Sequence, residues 1–163
     1  ADVLSEESAY VTINLLKGVT EEGSGMRLRH EGAEVSNLVF QNVVTGYPYK
    51  FENPIAGKTG TTQNQSDGWF LGMVPNLVTG VWVGGEDRSI HFKDIAYGQG
   101  ATMALPIWAL FMKSVYDNED LLISKEDFES PDVLTIPIDC DKYEIIDVNQ
   151  DISEDENLED LGF

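Results

Sequence analysis

Two runs, Asp67 to Val74 and Leu77 to Gly84, flank the dipeptide Pro75-Asn76. A link that short joins antiparallel strands, because parallel neighbours need a crossover of a dozen residues or more. In the first run Trp69, Leu71 and Met73 project one way and Phe70, Gly72 and Val74 the other. Apolar side chains on both faces predict a strand covered on both sides. Ile55 to Thr62 is a third strand candidate.

Helical signals bracket these strands. Ser5 ahead of Glu6 and Glu7 reads as a capped helix start. Ala9, Ile13 and Leu16 share its apolar face, and Gly18 is the expected stop. A second helix is predicted over Ala101 to Tyr116, with Ala104, Ile107, Trp108, Phe111, Met112 and Val115 as its stripe. Pro106 must fall in its first turn or kink it. Residues 18–34, rich in glycine and charge, read as a surface connection. Val35 to Val44 reads as irregular, and Thr45-Gly46-Tyr47-Pro48 as a turn. No repeat is visible. The expected class is α+β, an antiparallel sheet of three strands packed with helices.

Charge divides the chain. Residues 119–163 hold 16 acidic side chains against two lysines, a net of −14, and residues 1–118 hold 13 against eight, a net of −5. The predicted organisation is therefore a body over 1–118 and an acidic segment over 119–163. Within that segment, 133–138 and 143–146 could be extended, and 151–160 is expected to be disordered. A net charge of −19 repels phosphate, so nucleic-acid binding is not expected. No apolar run reaches the roughly 20 residues that span a bilayer.

No cofactor and no metal are expected either. His30, His91 and Cys140 lack ligand spacing. Asp147-x-Asn149-x-Asp151 opens like a calcium loop, but Ile152 and Leu158 stand where Gly and Glu are needed.

The chemistry concentrates in Gly57-Lys58-Thr59-Gly60-Thr61-Thr62. An ammonium, several hydroxyls and close-approaching amides suit an anionic group such as a carboxylate. A backbone N–H there could also stabilise an oxyanion in acyl transfer. A phosphate loop would need Gly at position 52, which is Glu52. Taken alone, the triplet also fits a threonine-rich turn of an ordinary strand.

The surrounding pieces add weight. They run Leu16-Lys17-Gly18-Val19, Gly23-Ser24-Gly25, Ala56 to Thr62, Asp67-Gly68-Trp69-Phe70-Leu71-Gly72, Pro75-Asn76-Leu77, Val81-Trp82-Val83-Gly84, and Ala104-Leu105-Pro106-Ile107-Trp108 with Phe111-Met112. In order and spacing they resemble the C-terminal part of the transpeptidase domain of penicillin-binding proteins, particularly the bifunctional class A enzymes. The resemblance runs from about Ser5 to Tyr116.

It implies a truncated form of the fold shared with serine β-lactamases. It implies Lys58 and Thr61 as catalytic residues, for proton transfer and as an oxyanion N–H donor. It implies Thr59, Gly60, Thr61 and Thr62 as substrate contacts, the hydroxyls of Thr59 and Thr61 holding a carboxylate. The implied partners are peptidoglycan stem peptides and β-lactams, at the extracytoplasmic face of a bacterial inner membrane. Class A would add an upstream glycosyltransferase domain and a membrane anchor. Trp69, Phe70, Trp82 and Trp108 are assigned to packing.

The family's nucleophile, a serine with lysine three residues on, is missing: none of the ten serines has it. Tyr116-Asp117-Asn118 matches the second family motif only in letters, since it follows the Lys-Thr-Gly box instead of preceding it. The chain thus reads as a C-terminal fragment, inactive alone, with a bare strand edge at 77–84 that invites self-association. A serine β-lactamase fragment and a non-catalytic module with an acidic partner-binding tail are the alternatives.

Overall fold

The computed structural model describes residues 3–29 and 49–138. The expectations for 30–48, for Cys140, for 143–146, for the calcium-like loop and for 151–160 lie outside the described residues. The element order is α1 (Glu6–Glu21), β1 (Ala56–Thr61), β2 (Asp67–Val74), β3 (Leu77–Gly84), α2 (Ile95–Gly98), α3 (Gly100–Met103) and α4 (Leu105–Asp117). The sheet is antiparallel in the order β1-β2-β3, so the fold is α+β.

Strands β2 and β3 have the predicted bounds, and β1 is one residue shorter at each end. The register pairs Val74 with Leu77 across the hairpin and Trp69 with Trp82. Phe70, Gly72 and Val74 are buried under α4. The Trp108 indole fills the space above Gly72, where a Cβ would collide with its ring, and donates to Thr79 Oγ1 at 2.6 Å. Phe70 and Phe51 meet the same indole edge-on at 5.2 and 6.2 Å. With Leu28, Ile55, Leu105, Ala109 and Met112 they form the core.

The opposite face departs from expectation. Trp69, Leu71, Val78 and Trp82 are 43, 47, 65 and 48% exposed. Among the described residues no element seals this side, so β2 is covered on one face. Of the four aromatics assigned to packing, Phe70 and Trp108 are fully buried, while Trp69 and Trp82 lie at the surface as a tilted pair 6.3 Å apart. Ile107 and Phe111 also lie near half exposure. The core-facing stripe of α4 is Leu105, Trp108, Ala109, Met112 and Val115.

Both helices differ from their predicted bounds. Ser5 caps α1, its Oγ accepting from Ser8 N–H at 3.1 Å. The helix runs through Gly18 to Glu21, because the buried Thr20 hydroxyl reaches Ile55 O at 2.6 Å and holds the last turn against the start of β1. A glycine inside a helix costs about 1 kcal/mol, and one buried hydrogen bond contributes an amount of the same size, about 1 kcal/mol. The chain turns at Gly23 instead, where a Cβ would sit 2.8 Å from Val19 Cα. The second predicted helix breaks at Ala104, since Pro106 has no N–H to continue the ladder and starts α4 instead.

The stretch after α1 is not all surface. Arg27 and Leu28 are buried. Arg27 donates to Ala101 O at 2.6 Å and to Thr102 Oγ1 at 2.9 Å, which gives the buried guanidinium two acceptors and ties the turn to α3. Arg29 donates to Phe51 O and Asn53 O and binds the approach to β1.

Residues 119–138 form no strand and run back across the body. Asn76 in the hairpin pairs with Leu122 O and Ser124 N–H. Lys17 meets Asp127 at 2.8 Å. Glu7 accepts from the N–H groups of Thr135 and Ile136. No helix among the described residues is long and apolar enough to cross a membrane.

Candidate functional site

Lys58, Thr59, Gly60 and Thr61 lie on β1, an edge strand among the described residues. The register places Lys58 opposite Leu71 and Gly60 opposite Trp69, on the open face. Thr59 and Thr61 stand opposite Phe70 and Gly68, on the covered face. The lysine and the threonine hydroxyls therefore flank the strand's outer edge.

The backbone at that edge follows from ladder parity. Thr62 N–H donates to Asp67 O at 3.1 Å, which makes 62 and 67 a hydrogen-bonded pair. Alternation then turns Gly60 and Lys58 toward β2. The N–H and C=O of Thr61, Thr59 and Gly57 turn outward. Lys58 Nζ donates to the outward Thr59 O at 2.9 Å, so its charge is held at the edge. The edge thus carries an ammonium, two hydroxyl side chains and outward N–H donors within about two residue rises, roughly 7 Å.

Each hydroxyl has a defined environment. Thr61 Oγ1 accepts from Gly100 N–H at 3.0 Å. Thr59 Oγ1 lies 2.6 Å from Ser24 Oγ. Thr62 Oγ1 is engaged within the turn: it accepts from Asp67 N–H and lies 3.0 Å from Ser66 Oγ and 3.1 Å from Asp67 Oδ2. Asp67 also accepts from Trp82 Nε1 at 3.2 Å, so this turn is bound to the far strand. Thr62 has a structural task that Thr59 and Thr61 lack.

Glycines let the pieces approach. A Cβ on Gly60 would stand 3.2 Å from Trp69 Cβ, and one on Gly100 would strike the Gly60 and Trp69 carbonyls. Gly68 lies under Gly100 and Met103. The first turn of α3 therefore rests on β1 and β2 at backbone distance, which brings Gly100 N–H to Thr61.

Sequence reasoning did not single out Ser24, Arg27 or Gly100 as site residues. Ser24 between two glycines after a helix was a usable signal; Gly100 meets β1, and Arg27 meets α3, only through tertiary contacts. Among the described residues no cluster of His, Cys, Asp or Glu could hold a metal ion. His91 makes a contact with Phe92 O and stands apart from the site.

No family model matches the chain. Curated proteins do. The chain is 34% identical over 128 residues to penicillin-binding protein 1A of Aquifex aeolicus, covering 77% of this chain and 14% of that protein. It is 29% identical over 140 residues to penicillin-binding protein 1A of Clostridium tetani, covering 86% and 15%. It is 31% identical over 111 residues to that of Pseudomonas aeruginosa, covering 68% and 11%. The chain thus spans about a seventh or less of the length of these relatives.

Proposed function

We propose that this relative of penicillin-binding proteins 1A is one wall of a peptidoglycan D,D-transpeptidase site. The complete site would carry its serine nucleophile on polypeptide outside this chain. The observation that carries the reading is the outer edge of β1, where Lys58, Thr59 and Thr61 converge beside outward N–H groups.

In this reading a serine attacks the penultimate D-alanine carbonyl of a stem peptide. The bond to the terminal D-alanine breaks, and the acyl group passes to a neighbouring strand's amine. The Thr59 and Thr61 hydroxyls hold the terminal carboxylate. Thr61 N–H, turned outward, donates to the developing oxyanion. Lys58 supplies positive charge and helps move the serine proton. Gly60 lets substrate lie against the strand. Thr62 acts through the turn it closes. A β-lactam presents the same carboxylate and carbonyl and acylates the same serine. Peptidoglycan at the extracytoplasmic face of the inner membrane is the corresponding substrate and place. The outer edge of β3, unpaired among the described residues, is the surface through which the isolated chain self-associates.

The test is labelling with a fluorescent penicillin. The 163-residue chain alone should show no covalent label. The longer polypeptide that contains it should label, and Lys58→Ala should lower that rate by about 10²–10⁴, the usual worth of positioned proton transfer. Stable labelling of the chain alone, or full labelling of Lys58→Ala, would overturn the reading.

A further inference from the structure

The hydroxyls at the edge of β1 differ in which of their hydrogens remains to be given away. A threonine or serine hydroxyl donates one hydrogen and can accept two. Thr61 Oγ1 already accepts from Gly100 N–H, so its own hydrogen is available to an acceptor outside the protein. Thr59 shares one hydrogen bond with Ser24, and the 2.6 Å separation places a single hydrogen between the two oxygens. If Ser24 is the donor, Thr59 keeps its hydrogen for an external acceptor. An anion at the edge selects that direction, since it accepts and cannot donate.

Ser24 is held well enough to act in this way. Gly23 N–H bonds Gly18 O and Gly25 N–H bonds Val19 O, closing the turn on the end of α1. Neither glycine has ready room for a side chain, with Val19 backbone atoms 2.8 and 3.1 Å from their Cβ positions. Buried Arg27 anchors the same turn to α3, next to Gly100. The two supports, Ser24 and Gly100, thus reach the two hydroxyls from one connected piece of structure. Thr59 and Thr61 are two residues apart on one strand face, about 7 Å. A carboxylate whose two oxygens each take a hydrogen bond of about 2.7 Å bridges such a gap.

We propose that Ser24 is a positioning residue of the carboxylate site. Its hydroxyl donates to Thr59 Oγ1 and aims the Thr59 hydrogen, beside that of Thr61, at an anion on the outer edge of β1. This rests on the transpeptidase reading and adds a specificity element to it. Ser24 touches no reacting atom; it favours substrates that carry the carboxylate.

The experiment compares acylation of the longer polypeptide by a β-lactam and by the methyl ester of the same compound. Ser24→Ala should slow acylation by the free acid roughly fivefold, the worth of one oriented hydrogen bond. It should leave the ester rate unchanged, and Ser24→Thr should restore the acid rate. A residue that merely ties α1 to β1 would change both rates together, and that result, or no change in either, overturns the proposal. Failure of the unsubstituted polypeptide to acylate at all would overturn the transpeptidase reading and this inference with it. In the 163-residue chain, the Thr59 side-chain torsion read from NMR couplings should be single-valued and should become averaged in Ser24→Ala. An unchanged torsion counts against Ser24 even where acylation cannot be measured.

Discussion

The two faces of the sheet are drawn from the same kind of residue and have opposite fates. On one side Phe70 and Val74 disappear beneath Trp108 and Met112. On the other, Trp69, Leu71, Val78 and Trp82 stay near or above half exposure. Apolar character does not separate them, since each face carries bulky apolar groups. The difference is the presence of α3 and α4 on one side, received by notches at Gly68 and Gly72 respectively. A face with a glycine notch is built to receive a particular neighbour. On the open side Gly80 sits beside only the flexible end of Leu71.

This contrast can be broken or sharpened by substitution. The largest effect is expected at the sealed indole. Trp108→Ala should cost about 3–5 kcal/mol, the usual price of emptying a core aromatic site. Trp82→Ala removes a cross-strand pair worth about 0.2–1 kcal/mol and an exposed hydrogen bond to Asp67 worth about 1 kcal/mol at most. Denaturant midpoints of the two variants measure the gap, and equal losses would erase the distinction between the faces. Next come the glycines. Gly72→Ala drives a methyl into the Trp108 ring and should destabilise by about 1–3 kcal/mol. Gly80→Ala, meeting Leu71 Cδ2 at 3.2 Å, should stay within about 1 kcal/mol.

A third test addresses the open face directly. Val78→Lys places a charge on the exposed edge strand and should change stability by no more than about 0.5 kcal/mol. It should reduce concentration-dependent association in sedimentation. A chain that is monomeric at every concentration before substitution would remove the reason for the effect.

The smallest effect belongs to the polar crossing of residues 122–136, a cover made by hydrogen bonds instead of apolar burial. Lys17 bonded to Asp127 lowers that carboxyl below its ordinary range. The backbone N–H of Ile136, with the Thr135 hydroxyl and N–H, lowers Glu7 likewise. A lowered carboxylate pKa gives stability that is present above the ordinary value near 4 and lost as pH falls through the folded value. The crossing should therefore loosen in acid, below about pH 4, while the core under α4 does not respond. Amide chemical shifts of Thr135 and Ile136 followed through that range would show it. Asp127→Asn should cost only a few tenths of a kcal/mol, because the Asp127 carboxylate is exposed to water.

Much of this architecture is readable from local pattern. Alternation and the Pro75-Asn76 link place β2 and β3, and the threonine box falls on β1 where Lys58 and Thr61 were expected. What escaped the sequence depends on contacts between distant residues. Gly18 looks like a helix stop until Thr20 is seen bonded to Ile55 O. Arg27 reads as surface charge until Ala101 O and Thr102 Oγ1 surround it. Trp69 and Trp82 read as core because an apolar side chain at strand spacing does not say whether a neighbour covers it. Ser24 and Gly100 hydrogen-bond to β1 at Thr59 and Thr61, 35 and 39 residues away in sequence.

The indole seated over Gly72 also divides the chain's three tryptophans optically. Trp108 is sealed from water, whereas Trp69 and Trp82 face it. A small neutral quencher added to the native chain should extinguish the emission of the surface pair and leave a blue-shifted remainder from Trp108. That remainder follows the seat of α4 on the sheet, and anything that later settles over the surface pair would raise the fraction beyond the quencher's reach.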